Sequence, residues 1–136
     1  MNSSDCYTEG LKVRREVLGA DYVDKAMKGG SAFVLPLQDL VIQYCWGSIW
    51  TRPGLDRRTR SLLNLAMLPA LKQWDEFKLH LRGAIVNGCT TDDIQEVLLQ
   101  VTIYCGVPAG VEAFRIAQAV LPSIQVPPPT SDQPSA

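Results

Sequence analysis

The sequence predicts an all-α fold of six or seven helices, and three observations carry that expectation. Apolar residues recur at three- and four-residue spacing in segment after segment. Helix-start residues (Thr, Asp, Pro) and helix-stop residues (Gly, Asn-Gly) bracket those segments. The one stretch that could pass for a strand, Ser31 to Leu35, has no second strand to pair with.

Residues 1–7 read as a flexible leader. Thr8 stands as the N-cap of a first helix, with Leu11, Val17 and Leu18 facing inward and Gly19 closing it. Asp21 caps a short helix, Tyr22 to Met27, stopped by Gly29-Gly30, and residues 31–35 form a connector. Pro36 suits a first helical turn, and Leu37, Leu40, Val41, Tyr44 and Cys45 carry that helix to about Gly47. A turn, Trp50-Thr51-Arg52-Pro53-Gly54-Leu55, leads to Asp56 as the next N-cap. The helix from Arg57 to Leu68 holds Leu62, Leu63, Leu65, Ala66, Met67 and Leu68, apolar almost all round, which predicts deep burial. Pro69 ends or kinks it.

Gln73 to Asn87 forms the following helix, stopped by Asn87-Gly88. Thr90-Thr91-Asp92-Asp93 resembles a capping box with Asp in place of Glu. Ile94, Val97, Leu98 and Val101 then run to about Tyr104, and Gly106 breaks the helix. Pro108 opens the last one, with Ala113, Phe114, Ala117, Val120 and Leu121 on one face. From Pro122 the chain turns Pro/Ser-rich and reads as a disordered tail. The organisation is one domain, 8–121, between a leader (1–7) and a tail (122–136).

With 136 residues, 46% of them apolar, the chain can build one real core. A net charge of -1 carries no nucleic-acid footprint. No apolar run reaches a membrane span, and the N-terminus lacks the features of a signal peptide, so a soluble cytoplasmic protein is expected. Cys6, Cys45, Cys89 and Cys105 form no C-x-x-C, and a single histidine leaves no zinc-site spacing. The thiols read as buried or incidental, and no metal is expected. Helices as apolar as Leu62 to Leu68 and Val97 to Ile103 offer more surface than one short chain buries, which predicts a homo-oligomer.

The chemistry concentrates in Gln73 to Asn87. This segment holds the chain's one histidine, His80, with Glu76 four residues earlier. On a helix that spacing stacks the two positions on one face, continued by Gln73, Gly83 and Asn87 beside an apolar stripe of Phe77, Leu81, Ala84 and Ile85. A carboxylate beside an imidazole sets a proton donor or acceptor near neutral pH. The same spacing also suits an ordinary surface pair. Arg57, Arg58 and Arg60 crowd the first turn of their helix, the end where the dipole disfavours cations. Such placement suits either an anion or a solvated face.

Several dispersed blocks resemble the 4-carboxymuconolactone decarboxylase family over about residues 10–121. They are Trp50-Thr51-Arg52-Pro53-Gly54-Leu55-Asp56-Arg57-Arg58-Thr59-Arg60-Ser61-Leu62, Glu76 to Ala84, Asn87-Gly88, Glu96 to Gln100, and Tyr104-Cys105-Gly106-Val107-Pro108-Ala109. The resemblance implies an AhpD-like all-α fold and a trimer or hexamer. It further implies cofactor-free decarboxylation of a carboxylated lactone, 4-carboxymuconolactone to 3-oxoadipate enol-lactone, in aromatic catabolism. In that reaction His80 would be the proton donor or acceptor, and Glu76 would orient it and support its protonated form. Arg52 and Arg58 foremost, then Arg57 and Arg60, would hold substrate carboxylates, because guanidinium binds carboxylate in a two-pronged way. Trp50 would wall the pocket.

The wider superfamily's C-x-x-C-x-x-x-H motif would place thiols at Gln73 and Glu76. Both are absent, which argues against dithiol peroxide reduction. Two other readings stand beside the first. The same seam could serve decarboxylation, dehydration or isomerisation of another lactone or a polyketide-like substrate. Alternatively, the chain could be a non-catalytic oligomeric member, whose expected signature is loss of the Glu76/His80 pair.

Overall fold

Most helix starts are set by a short side chain or a proline. Asn2 caps α1 (Ser3–Leu18), its Oδ1 accepting from the Asp5 amide. Asp56 caps α4 (Arg57–Ala70) by accepting from the Thr59 amide at 2.7 Å. Thr90 and Asp93 form a reciprocal capping box on α6 (Thr91–Cys105). Prolines occupy the first turns of α3 (Leu35–Leu40) and α7 (Val107–Val120). The computed structural model describes residues 2–124. Together with α2 (Ala20–Lys28), α5 (Trp74–Val86), a π-helical segment (Val41–Ile49) and a final 3₁₀ turn (Leu121–Ser123), these elements make an all-α fold.

Several boundaries differ from those expected. α1 begins at Ser3, so residues 3–7 are helical and Thr8 lies inside the helix, its hydroxyl donating to the Ser4 carbonyl. Asn2 competes successfully as N-cap because it satisfies an orphan amide one turn earlier. Gly19, at φ +97, both ends α1 and starts α2, leaving Asp21 in the first turn of α2. The third helix does not stop at Gly47 but widens into the π segment, where the Trp50 amide reaches the Cys45 carbonyl five residues back. Pro69 is buried within α4, which runs past it to Ala70 with Leu71 as C-cap, and Lys72 follows at φ +57. The Pro/Ser-rich tail expected from Pro122 differs at its start, where Leu121–Ser123 form a 3₁₀ turn; its remainder, from 125 onward, lies outside the described residues.

α4 is also less buried than its composition predicts. Leu65 is fully enclosed, whereas Leu63 and Met67 are about half exposed. A helix apolar on every side cannot bury every side against a single layer of neighbours.

Two cores result. Leu65, Phe77, Leu81, Ala84, Ile94, Leu98, Ala113 and Ile116 pack α4 to α7 together. Val13, Val17, Leu18, Val23, Trp46 and Trp50 join α1 and α2 to the π segment. Each fully buried large side chain contributes about 1.5–3 kcal/mol. α5 belongs to both, with Phe77 and Leu81 in the first and Leu79 against the second. His80 therefore stands where the two cores meet.

Candidate active site

The π segment brings Trp46 and Trp50 together. The wider turn stacks their rings with centroids 4.9 Å apart. Hydroxyls reinforce the widened ladder: Ser48 donates to the Gln43 carbonyl and Thr51 to that of Gly47. The segment lies against α1 almost backbone to backbone. A Cβ on Gly10 would fall 2.2 Å from the Ile42 carbonyl oxygen, and one on Gly47 would fall 2.1 Å from that of Cys6.

The imidazole of His80 lies near-parallel to both indoles, 6.0 Å from Trp46 and 6.2 Å from Trp50 by ring centroid. The Asn64 side-chain amide sits 3.4 Å from Nδ1 of the same ring. With that amide donating, Nδ1 accepts and the ring proton resides on Nε2. Burial lowers the His80 pKa to about 4, so the ring is neutral at physiological pH. The neighbouring polar pair continues the α4–α5 seam: Asn87 donates to the Ser61 hydroxyl at 3.0 Å.

The Glu76/His80 arrangement differs from the sequence expectation. Glu76 is exposed in the first turn of α5, where the dipole favours an anion. Among the described residues no hydrogen bond or ion pair joins it to His80, and desolvation alone accounts for the lowered imidazole pKa. The backbones stack as the spacing predicts, but the ring packs toward the indoles while the carboxylate stays in water. Glu76 therefore does not support the imidazolium in this structure.

The arginines separate into distinct roles. Arg57 pairs with Glu16 on α1 at 2.7 Å, and Arg58 pairs with Asp93 on α6 at 2.8 Å. Arg58, favoured from sequence, is thus engaged with the α6 capping box. Arg52 is exposed in the turn beside Trp50. The partly buried Arg60 donates from Nη2 to the Arg52 carbonyl at 3.4 Å. Trp50 is 5% exposed, and its ring stacks near the His80 imidazole.

Sequence reasoning missed Trp46 and Asn64. The signals were present: Trp46 lies four residues before Trp50, and Asn64 is the one polar side chain between Leu62 and Leu68. Among the described residues no three His, Cys, Asp or Glu side chains gather as a metal site would need, and no helix is long and apolar enough to cross a membrane.

Comparison with known proteins adds the lineage. Residues 36–119 match the model of the carboxymuconolactone decarboxylase family. Nitrosuccinic acid decarboxylase npaB of Metarhizium robertsii is 44% identical over 115 residues, covering 85% of this chain and 80% of that protein. The 4-carboxymuconolactone decarboxylase of Acinetobacter baylyi is 38% identical over 128 residues, covering 94% and 96%. An uncharacterised 15.0 kDa protein of Paracoccus denitrificans is 31% identical over 83 residues, covering 59% and 61%. With the family model spanning most of the helical domain, the chain belongs to the carboxymuconolactone decarboxylase family.

Proposed function

We propose that this chain is a cofactor-free carboxy-lyase that removes CO2 from a small dicarboxylate and protonates the resulting carbanion at His80. The observation that carries this reading is the neutral imidazole held between Asn64 and the two tryptophans. Decarboxylation breaks the C–CO2 bond and leaves its electron pair on carbon. That pair must be delocalised, and a proton must follow. A dianionic substrate entering beside His80 supplies the opposite charge that favours imidazolium, so the ring takes up a proton from solvent at Nδ1 as the substrate binds. The Asn64 amide turns to present its oxygen to that proton. The substrate's own charge thereby does what Glu76 does not. The protonated ring then delivers its proton to carbon, an acid role typically worth about 10²–10⁴-fold. The indoles exclude water and desolvate the leaving carboxylate.

4-Carboxymuconolactone meets these demands. Loss of CO2 gives a dienolate conjugated with the lactone carbonyl, and protonation gives the enol-lactone. A second substrate, nitrosuccinate, is favoured by the higher identity to the Metarhizium decarboxylase. Loss of the carboxylate beside the nitro group leaves a nitronate, which the same acid protonates on carbon. Both reactions run without a cofactor, because the lactone or nitro group is its own electron sink. The missing thiols at Gln73 and Glu76 support this chemistry over dithiol peroxide reduction.

The working unit in this reading is a homo-oligomer. Phe33, Leu37, Leu40 and Tyr44 expose one apolar face, and Leu63, Met67, Ile103 and Tyr104 another. Two different faces of this kind suit head-to-tail contacts that close into a ring. The decisive assay supplies each substrate to purified protein and follows CO2 release with the ultraviolet change of the substrate. CO2 release from one of them supports the reading. Release from neither refutes it.

A further inference from the structure

Resting on the reading of His80 as the decarboxylation site, we propose that Arg60 binds the carboxylate that the substrate keeps. Three arginines crowd the first turn of α4, and two are already engaged, Arg57 with Glu16 and Arg58 with Asp93. Among the described residues Arg60 has no carboxylate partner. Its Nη2 donates to the Arg52 carbonyl at 3.4 Å, near the long limit for such a bond, and its Nε is buried without any partner. Buried N–H groups are nearly always satisfied in folded proteins, so an orphaned guanidinium N–H calls for an acceptor from a ligand.

The position of Arg60 makes that ligand the substrate. Arg60 stands four residues before Asn64 and so shares its face of α4. The Asn64 amide reaches His80 Nδ1. The carbonyl that Arg60 touches lies two residues beyond Trp50, whose ring packs near His80. Arg60 is thus tied to both walls that meet at the imidazole. A carboxylate approaching side-on would take Nε and Nη2 as parallel donors, replacing the long bond to the Arg52 carbonyl. One carboxylate is then held by Arg60 while the other is lost beside His80.

The test compares wild type, Arg60→Met and Arg60→Lys on the active substrate and on the same substrate esterified at the retained carboxylate. Removing the clamp should raise KM for the diacid at least about tenfold with a much smaller change in kcat, as expected for an interaction common to ground and transition states. The ester's KM should change by less than about twofold, a split that a merely structural role would not produce. Arg60→Lys keeps the charge but loses the planar fork, so its KM should fall between the two. It also decides the matter if circular dichroism shows Arg60→Met unfolded. Equal KM for the diacid across the folded variants, or an equal rise for diacid and ester, overturns the proposal. If the wild type turns over neither substrate, the decarboxylase reading fails by itself, and Arg60 is judged by calorimetric titration with succinate. Binding weakened at least about tenfold in Arg60→Met then sustains the carboxylate site. Equal or absent binding in both proteins overturns it.

Discussion

The side-chain amide of Asn64 on α4 lies 3.4 Å from Nδ1 of His80 on α5, and when that amide donates, the ring proton sits on Nε2. Because His80 is the chain's one histidine, its proton resonances identify it without further assignment. Asn64→Leu should free the tautomer and lower kcat by about tenfold, less than loss of a general acid. Asn64→Asp places an anion against the ring and should raise the His80 midpoint above the native value of about 4. A proton NMR titration reads the midpoint directly, and an unmoved midpoint in Asn64→Asp would show that the two side chains do not interact.

His80→Ala should lower kcat by at least about 10²-fold, the low end for a positioned acid. Glu76→Gln should do little. The exposed carboxylate makes no hydrogen bond or ion pair with the ring among the described residues, so kcat should stay within about twofold and the titration midpoint should not shift. A large loss in folded Glu76→Gln would restore the carboxylate to the machinery and contradict the arrangement described above.

The difference between these two residues shows what the sequence could and could not convey. Helix periodicity, the Asp56 cap, the Thr90/Asp93 capping box and the stop at Gly106 are local, and they were legible. The spacing of Glu76 and His80 was equally legible, but spacing fixes only which backbone positions stack. Which way a ring packs depends on partners far along the chain, here Trp46 and Trp50 from the π segment and Asn64 from α4. The sorting of the arginines is also tertiary, since Glu16 and Asp93 lie on other helices. The close approach of the π segment to Gly10 of α1 is likewise tertiary, and no local pattern announces it.

Folding stability should fall as the solution is acidified below pH 6.5. Burial holds the His80 pKa at about 4 in the folded protein, whereas the unfolded value is near 6.5. Between those limits the unfolded chain binds the extra proton, so acid favours unfolding. The full contribution is present above about pH 6.5 and is lost as pH falls toward 4, at a slope approaching 1.4 kcal/mol per pH unit. Urea unfolding of wild type and His80→Gln from pH 7 to pH 4.5 measures this. The variant should show a shallower decline, and parallel curves would refute the buried neutral imidazole.

In the proposed homo-oligomer, charge on either apolar face should break the assembly. Phe33 is 92% exposed and Tyr104 83% exposed in the single chain. Phe33→Glu or Tyr104→Glu should each reduce the particle mass to that of a smaller species in light scattering, because an unpaired buried charge opposes association strongly. Wild type running as a monomer at about 10 μM would remove the basis for this expectation.

The contact between Gly10 and Gly47 should control the two tryptophans beside His80 from a distance. A Cβ at Gly47 would lie 2.1 Å from the Cys6 carbonyl oxygen, far inside van der Waals contact, and one at Gly10 would lie 2.2 Å from that of Ile42. Backbone is the obstacle in both cases, so no rotamer change relieves the clash. Gly47→Ala must therefore push the π segment away from α1 or narrow its turn, at a cost of about 1–3 kcal/mol. Trp46, one residue earlier, and Trp50, three residues later, move with it. Both rings pack near His80, so the imidazole should become better hydrated and its midpoint should rise from about 4 toward 6.5. The expected signature is a joint one: a red shift in tryptophan emission, a raised His80 midpoint and a reduced kcat in protein that still shows helical circular dichroism. A destabilised Gly47→Ala with an unchanged His80 midpoint would mean that the π segment supports the fold but does not set the environment of the imidazole.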